Sequence, residues 1–436
     1  MFFLTSFLIT ASLAFIQPHA TQAEPATLLR NAVGLKSQDL RATAALRLAK
    51  KRIPLEQWIE CMQDFGEFEI VKSGRHSLRA KLWVEGQQIT RQLELYVPSA
   101  YDISKPSPLL LLLHGSGASG KQMLPGWQRL AEQQGYLLVA PTALNSTKGY
   151  SFSQAERQTA LEALRWIRLR FNVDENRIHL HGVSRGAHLT WDLGLRYPDR
   201  FASLIPAIGG PTWVIGEGRN NMRYIENLWD MPIRDLQGSQ DDYKLLRNLR
   251  RCFERLEAIG NANAHLREFE GLGHNFRTDT IDWAGFIDNS DRTPLPKRIL
   301  LRATRADKTR NAWLRIDKVD RNVKEIFPLT VKPGLWEKLD EDEKARFVQN
   351  LADSKTGQVD AERMEDGSFQ IKMNGIKQVS LMLPMEWIPK SGRVLVANSK
   401  GTQSLKAKSS TQVLLLDFVE RFDRTVLPTC AVTVKQ

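Results

Sequence analysis

The stretch RIHLHGVSRG, residues 177–186, decides the fold. Its first five residues alternate in the manner of a β-strand, and Gly182 and Gly186 then lie two positions on either side of Ser184. This pattern marks a sharp strand-to-helix turn in which the serine takes a strained backbone conformation, so larger side chains two residues away would collide. A helix-compatible run, residues 187–197, follows. The order of strand, turn and helix predicts a nucleophile elbow that exposes the hydroxyl of Ser184.

Strand-like and helix-like segments alternate on both sides of this turn. Residues 78–97 predict a hairpin through Gly86, and the apolar run 109–113 suits a strand that is buried on both faces. The remaining predicted segments are helix 121–134, strand 136–140, helix 154–171, strand 178–181, helix 187–197, strand 203–208, strand 232–237, helix 243–259 and strand 265–269. Such alternation implies an α/β fold with a mostly parallel sheet and crossover helices.

The length of 436 residues exceeds what one core usually supports, so more than one domain is expected. Residues 1–23 are interpreted as a signal peptide, because an apolar run precedes a small-residue stretch before Glu24. The expected segments after it are an N-terminal helical segment (24–65), a catalytic domain (66–290), a linker (291–320) and a β-rich C-terminal domain (321–436). The last of these is expected from the strand-like runs SFQIKM, VSLMLP, GRVLVA and TQVLLLDF. We therefore expect a secreted or periplasmic protein, and a membrane tether is the alternative because the first residues lack Lys and Arg.

The charge pattern argues against a nucleic-acid partner, and the cysteine content argues against a disulfide framework. The formal net charge is +12, but Lys and Arg are interleaved with Asp and Glu, and no nucleic-acid-binding motif accompanies them. We expect no nucleic-acid partner. For the basic stretch 41–52 a solvated helix face is the favoured interpretation, and contact with an anionic surface, such as an acidic polymer or lipid headgroups, is the alternative. Cys61, Cys252 and Cys430 cannot form a disulfide framework and are expected to be buried and inert.

A serine hydroxyl becomes a nucleophile only when a base removes its proton and an acid orients that base. After an elbow of this kind, the acid and then the histidine follow the serine along the chain, each on a loop after a strand. His274, in the motif GLGHNF, follows strand 265–269, whereas His265 opens that strand and His188 lies on the elbow's own helix. The sequence therefore predicts His274 as the base for Ser184.

The acid is expected in the loop LQGSQDD, residues 236–242, which follows the strand 232–237. The Gly-x-x-Asp arrangement in this loop favours Asp241. Asp242 is the alternative, because geometry rather than residue count decides between neighbours.

A tetrahedral acyl intermediate needs amide donors for its oxyanion. The motif HGSG at 114–117 ends the buried strand, and its glycines allow the backbone to turn amides inward, so we predict the amides of Ser116 and Arg185 as the oxyanion hole. A phosphate-binding loop is the competing interpretation, but GSGASGK lacks the full spacing and a following Ser or Thr.

His179, His181 and His188 cluster around the elbow in sequence and raise the alternative of a metal site. No acidic ligand accompanies them, so packing or site-shaping roles are favoured. We expect no metal and no cofactor.

The quoted motifs together resemble a known family. The run GVSRGAHLTWDLGLRYPDRFASLIPAIGGP, with LLLHGSG upstream and LQGSQDD and GLGHNF downstream, looks like the secreted α/β-hydrolases related to prolyl oligopeptidase-like and polyhydroxybutyrate-depolymerase-like esterases, over residues 90–290. The resemblance implies the α/β-hydrolase fold, the triad Ser184, Asp241 and His274, and an ester or related acyl substrate. Gln237 departs from the family, in which His often holds this position before the acid.

The expected function is hydrolysis of a small-molecule or polysaccharide-linked ester through an acyl-enzyme. The alternatives are a serine peptidase of the prolyl oligopeptidase type and a catalytically silent, glycan-binding member of the fold. No propeller repeats are present, which argues against the first alternative. The loop 209–231, with Trp213, Tyr224 and Trp229, is expected either to wall an acyl pocket or to anchor the core.

Overall fold

The computed structural model describes residues 23–66, 68–212, 220–306, 309–332 and 334–436. The expected signal peptide, residues 1–23, lies outside these residues except for Ala23, and Trp213 also lies outside them. Three helices open the described chain: α1 (Ala23–Val33), α2 (Gln38–Leu48) and α3 (Leu55–Gln63). Among the described residues, no helix combines the length and the apolar character that a membrane span requires.

An eight-stranded sheet forms the centre of the molecule. Its strands are β1 (Gly74–Val84), β2 (Gln87–Val97), β3 (Ser107–Leu113), β4 (Leu137–Pro141), β5 (Val173–Val183), β6 (Ser203–Ala207), β7 (Ile233–Gly238) and β8 (Ala264–Phe269). They lie in the order β1-β2-β4-β3-β5-β6-β7-β8. The pairs β1–β2 and β2–β4 are antiparallel, and every pair of neighbours from β4 to β8 is parallel. The crossover helices are α4 (Leu124–Gln134), α5 (Gln154–Arg168), α6 (Arg185–Arg196) and α7 (Tyr243–Ala258), and α8 (Trp283–Asp288) follows the last strand. This arrangement confirms the predicted α/β-hydrolase fold.

Strand β3 explains how the sheet is covered on both faces. All seven of its residues are buried, and successive side chains of a strand point to opposite faces. Leu109, Leu111 and Leu113 belong to one hydrophobic core, which contains the apolar side chains of α5, α6 and α7. Leu110 and Leu112 belong to a second core with α4 and α8. The continuous leucine run therefore reflects burial between two layers of helices.

The C-terminal residues form two further sheets and two helices. The strands are β9 (Arg298–Ala303), β10 (Arg310–Asn311), β11 (Leu314–Val319), β12 (Gly357–Arg363), β13 (Phe369–Asn374), β14 (Ile376–Pro384), β15 (Arg393–Asn398), β16 (Gly401–Lys406) and β17 (Pro428–Lys435), and the helices are α9 (Glu341–Ser354) and α10 (Thr411–Arg421). One sheet has the order β10-β11-β14-β17 and the other β16-β15-β13-β12-β9. Residues 291–320, expected as a linker, thus contain three strands of these sheets, because their apolar side chains pack into the same core as the later strands.

The run TQVLLLDF, expected as a strand, is the first part of helix α10. Ser410 caps this helix by accepting the backbone N–H of Val413, and the buried Leu414, Leu415 and Phe418 lie at helical spacing. A short apolar run fits a strand and a buried helix equally well, and here the packing partner decides. The partner is the N-terminal segment, since α10 shares one hydrophobic core with α1, α2 and α3.

Candidate active site

Ser184 lies in the turn between β5 and α6, with φ 54° and ψ −113°. This is a costly conformation for a residue other than glycine, and it presents the side chain above the end of the strand. A Cβ at Gly182 would lie 2.2 Å from the carbonyl oxygen of Gly186, and one at Gly186 would lie 2.0 Å from that of Leu113. Both glycines are therefore required for the turn, which is the geometry predicted for a nucleophile elbow.

His274 contacts both of the other residues predicted for the triad. Its Nε2 is 2.9 Å from Oγ of Ser184, and its Nδ1 is 2.9 Å from Oδ2 of Asp241. Asp241 follows β7 and His274 follows β8, so all three side chains come from loops at the carboxyl ends of parallel strands. A neutral imidazole with its proton on Nδ1 donates to Asp241 and leaves Nε2 to accept the Ser184 hydroxyl proton. The arrangement can therefore transfer a proton from Ser184 to His274.

The two neighbouring aspartates have different contacts. Oδ1 of Asp242 accepts the backbone N–H of Leu245 at 3.0 Å and caps α7. Asp241 has a side chain that is only 8% exposed, and Nε2 of Gln237 donates to its Oδ2 at 2.6 Å. Gln237, the residue that departs from the family pattern, thus holds the carboxylate that contacts His274.

The acid loop and the histidine loop touch at Gly238. A Cβ at this position would lie 1.9 Å from the carbonyl oxygen of Gly273, and the backbone N–H of Gln240 donates to the carbonyl of Leu272 at 2.8 Å. Close approach of the two loops sets the distance between the carboxylate and the imidazole. Gly238 was not among the residues predicted for the site, although a glycine at a strand end is a signal of close backbone approach.

The motif HGSG lies beside Ser184. A Cβ at Gly115 would be 3.6 Å from that of Ser184. The ring of His114 holds the loop, because its Nδ1 lies 2.7 Å from the carbonyl oxygen of Gly115 while its Nε2 accepts the N–H of Ala143 at 2.9 Å. These contacts fit a neutral imidazole, and burial lowers the pKa of His114 below its usual value.

The contacts of His114 also orient the peptide group that carries the amide predicted for the oxyanion hole. The Gly115 carbonyl and the Ser116 N–H belong to one trans peptide, so they point in opposite directions. His114 and the N–H of Ala118, at 3.3 Å, both hold the carbonyl. The second predicted amide, that of Arg185, belongs to the first residue of α6 and has no acceptor within the helix.

The Arg185 side chain is buried and forms an ion pair with Glu156 of α5. Glu156 is also buried and accepts the backbone N–H of Ser151 at 3.0 Å. Breaking a buried pair of this kind usually costs about 3–5 kcal/mol, because one charge is left uncompensated. The pair therefore fixes the helix that begins immediately after Ser184, a role that sequence patterns did not indicate.

The other histidines near the elbow have separate partners. His179 lies 2.8 Å from Oγ of Ser203, His181 lies 2.7 Å from the carbonyl of Ile205, and burial lowers their pKa values to about 3 and about 4. His188 contacts the carbonyl of Gly210 at 2.6 Å. Within the described part of the chain, no group of His, Cys, Asp and Glu side chains is arranged to hold a metal ion. These contacts agree with packing roles for the three histidines.

Two of the aromatic residues considered for an acyl pocket contact the C-terminal residues instead. Tyr224 is buried, and its hydroxyl lies 2.6 Å from Oγ1 of Thr304. The guanidinium of Arg298 lies 5.8 Å from the centre of the Trp229 ring. Tyr224 is therefore an anchor between the catalytic sheet and the C-terminal sheets.

Comparison with known proteins supports the family-level interpretation. No protein-family model matches the chain. A bifunctional acetylxylan esterase/xylanase from Neocallimastix patriciarum is 25% identical over 155 residues, which is 35% of this chain and 22% of that protein. Poly(3-hydroxyalkanoate) depolymerase C from Paucimonas lemoignei is 26% identical over 132 residues, or 28% of this chain and 31% of the depolymerase. The chain thus spans less than a third of either curated relative.

Solved structures with a similar fold include a thermostable esterase, with 22% identity and a TM-score of 0.38 over 44% of this chain and 54% of the esterase. A ferulic acid esterase has 17% identity and a TM-score of 0.38 over 47% of this chain and 93% of its own. The predicted resemblance to depolymerase-like esterases of the α/β-hydrolase fold is confirmed by the curated relatives.

Proposed function

We propose that this protein is a serine hydrolase that cleaves carboxylic esters through an acyl-enzyme on Ser184. The observation that carries the proposal is the chain of two 2.9 Å contacts from Ser184 through His274 to Asp241, at a strained turn between β5 and α6. The similarity to an acetylxylan esterase and a poly(3-hydroxyalkanoate) depolymerase supports an ester rather than another acyl substrate.

The proposed reaction begins when Nε2 of His274 takes the proton of the Ser184 hydroxyl and Oγ attacks the ester carbonyl carbon. The amides of Ser116 and Arg185 donate hydrogen bonds to the oxyanion that forms. His274 then gives its proton to the departing alcohol oxygen as the C–O bond breaks, which leaves an acyl group on Ser184. Asp241 stabilises the imidazolium and keeps its orientation.

Water completes the cycle in the same site. His274 takes a proton from the water as its oxygen attacks the acyl carbon, and the second tetrahedral intermediate collapses to return that proton to Oγ of Ser184. The carboxylic acid then leaves. No cofactor or metal enters these steps.

The proposed substrates are esters carried by a small molecule or a polysaccharide. An alcohol leaves more easily than an amine, whose departure needs well-aimed protonation by His274, so ester cleavage is favoured over the peptidase alternative. We also propose export to the periplasm or the medium, which rests on the sequence of residues 1–23. Cell fractionation with a tagged full chain would test it, and recovery of the tag in the cytoplasm would contradict it.

The central experiment measures labelling by a fluorophosphonate probe and hydrolysis of 4-nitrophenyl acetate. We expect the wild-type protein to be labelled and active, and the Ser184→Ala variant to lose both properties. Ser104→Ala is the matched control, since Ser104 is exposed and, among the described residues, hydrogen-bonds only to Asp102. Equal labelling of the Ser184→Ala variant would refute the mechanism.

A substrate panel separates ester cleavage from the alternatives. Acetyl, feruloyl and longer acyl esters are compared with a prolyl nitroanilide under the same conditions. Faster cleavage of the anilide would favour the peptidase. Absence of both labelling and turnover, in a folded protein that still binds a polysaccharide, would favour the catalytically silent alternative.

A further inference from the structure

A cleft of about 560 Å³ lies between the N-terminal helices and the edge of the catalytic sheet. It is lined by the turn between α1 and α2, by β1 and by α5. We call it the basic cleft, because seven of its lining residues are Arg or Lys and two are Glu. The excess of five positive charges is concentrated in one concave surface, and no residue proposed for the reaction lines it. Such a surface attracts anionic ligands.

Two arginines in the lining of the basic cleft are buried near one carboxylate, that of Glu162. Arg41 is 6% exposed, donates to the carbonyl of Leu35 at 3.1 Å and lies 3.9 Å from Glu162, while its Nε has no hydrogen-bond partner in the described part of the chain. Arg165 is 8% exposed and donates to the carbonyl of Val33 at 2.9 Å. Burial lowers the pKa of Arg165 to about 9, and the nearby charge of Arg41 acts in the same direction. The two Glu side chains of the lining therefore leave an excess of positive charge, which a bound anion would offset.

Further cations in the lining have no acidic partner. Among the described residues, the side chains of Lys36, Arg79 and Lys81 form no ion pair and no hydrogen bond. Arg79, Lys81 and Trp83 occupy alternate positions of β1 and so share one face of the strand. Trp83 is partly exposed and adds an aromatic surface to this row of charges.

A second basic groove provides an internal comparison. It lies between α7 and α9 and has a similar volume of about 550 Å³. Four of its five arginines have acidic partners, for example Arg247 with Glu341 at 3.5 Å and Arg250 with Glu268 at 2.6 Å. Basic residues alone therefore do not distinguish the basic cleft. Its distinguishing property is that three of its cations, Lys36, Arg79 and Lys81, have no acidic partner among the described residues, whereas Arg41 lies 3.9 Å from Glu162 and Arg170 lies 3.3 Å from Glu69.

We propose that the basic cleft binds an acidic oligosaccharide, a short chain of sugars that carry carboxylate groups, at a site separate from Ser184. Guanidinium groups pair with carboxylates through two parallel hydrogen bonds, and the cations come from three elements, which suits a ligand with several charges. A concave surface of this volume admits a chain of sugars, whereas a flat membrane surface reaches only its rim. The site would hold the protein on an acidic polymer.

The test is titration calorimetry of the full protein with an unesterified oligogalacturonate at low ionic strength. Because this ligand has no ester, the outcome does not depend on the proposed hydrolysis. We expect saturable binding that weakens about tenfold in the double variant Arg79→Gln and Lys81→Gln, and that weakens further as salt is added. Hydrolysis of 4-nitrophenyl acetate and the melting temperature should stay unchanged in this variant, since both side chains are exposed and unpaired.

The matched control is the double variant Arg250→Gln and Arg346→Gln, which removes the same charge from the second groove. Its affinity for the oligogalacturonate should equal that of the wild type. A neutral xylo-oligosaccharide, inorganic phosphate and vesicles of phosphatidylglycerol are titrated as comparison ligands and should bind more weakly. Absence of saturable binding, equal weakening in both double variants, or tighter binding of phosphate or vesicles than of the oligogalacturonate would overturn the proposal.

Discussion

Replacement of Asp241 by asparagine probes the proposed triad most sharply, because donors approach both oxygens of the carboxylate. Oδ1 accepts the backbone N–H of Asp242 at 2.7 Å, and Oδ2 accepts Nε2 of Gln237 at 2.6 Å beside Nδ1 of His274. An asparagine can offer an oxygen to only one side. Each of its two orientations therefore places an N–H group opposite another donor.

The surroundings decide which orientation forms. The backbone N–H of Asp242 cannot be reversed, whereas the amide of Gln237 can rotate, since its buried Oε1 has no hydrogen-bond partner among the described residues. The asparagine oxygen should then face Asp242, and its amide should face both the rotated Gln237 and His274. His274 would accept at Nδ1 and carry its proton on Nε2, which is the wrong tautomer for accepting the Ser184 proton.

We expect kcat for 4-nitrophenyl acetate to fall about 10⁴-fold in Asp241→Asn, which corresponds to about 5.5 kcal/mol of transition-state stabilisation. Asp242→Asn is the control, because asparagine caps a helix about as well as aspartate and the rate should stay within about twofold. Steady-state kinetics with matched melting curves give both values. A loss of less than about tenfold in Asp241→Asn, or a larger loss in Asp242→Asn, would refute this reasoning.

Three further changes test other parts of the structure. Gly186→Ala should prevent recovery of folded protein, because the added Cβ would lie 2.0 Å from a backbone oxygen. The control Gly126→Ala has open space around the new atom and should raise the melting temperature slightly. Normal folding of Gly186→Ala would contradict the elbow geometry. His114→Asn should lower kcat about 10²-fold with little change in KM, since the Ser116 amide loses its orientation, and an unchanged kcat would exclude this role. Burial raises the pKa of Asp235 well above its usual value, so the wild type loses stability as pH rises from the unfolded pKa through the folded one. Urea unfolding at pH 4 and pH 8 should show that the free energy of unfolding of Asp235→Asn, relative to that of the wild type, is higher at pH 8. A pH-independent difference would contradict a neutral buried carboxyl.

Local signals predicted much of the catalytic domain. The glycines around Ser184, the leucine run of β3 and the alternation of segments each depend on neighbouring residues, and the fold class that they predicted is confirmed. The strand boundaries lie within a few residues of the predicted ones, except that β5 begins at Val173. The three residues named for the triad lie within hydrogen-bond distance of one another, and their catalytic roles stay predictions.

The sequence by itself determined the turn at Ser184, the layered α/β core and a short choice of partners for the serine, because strand and helix periodicity and glycine spacing are properties of adjacent residues. Only the tertiary structure decided that Asp241 rather than Asp242 contacts His274, that TQVLLLDF is a helix, and that α10 packs against α1, α2 and α3. It also decided which of many basic residues face one another across a cleft. Each of these depends on contacts between residues far apart in the chain, whose approach is fixed by packing and not by any local pattern.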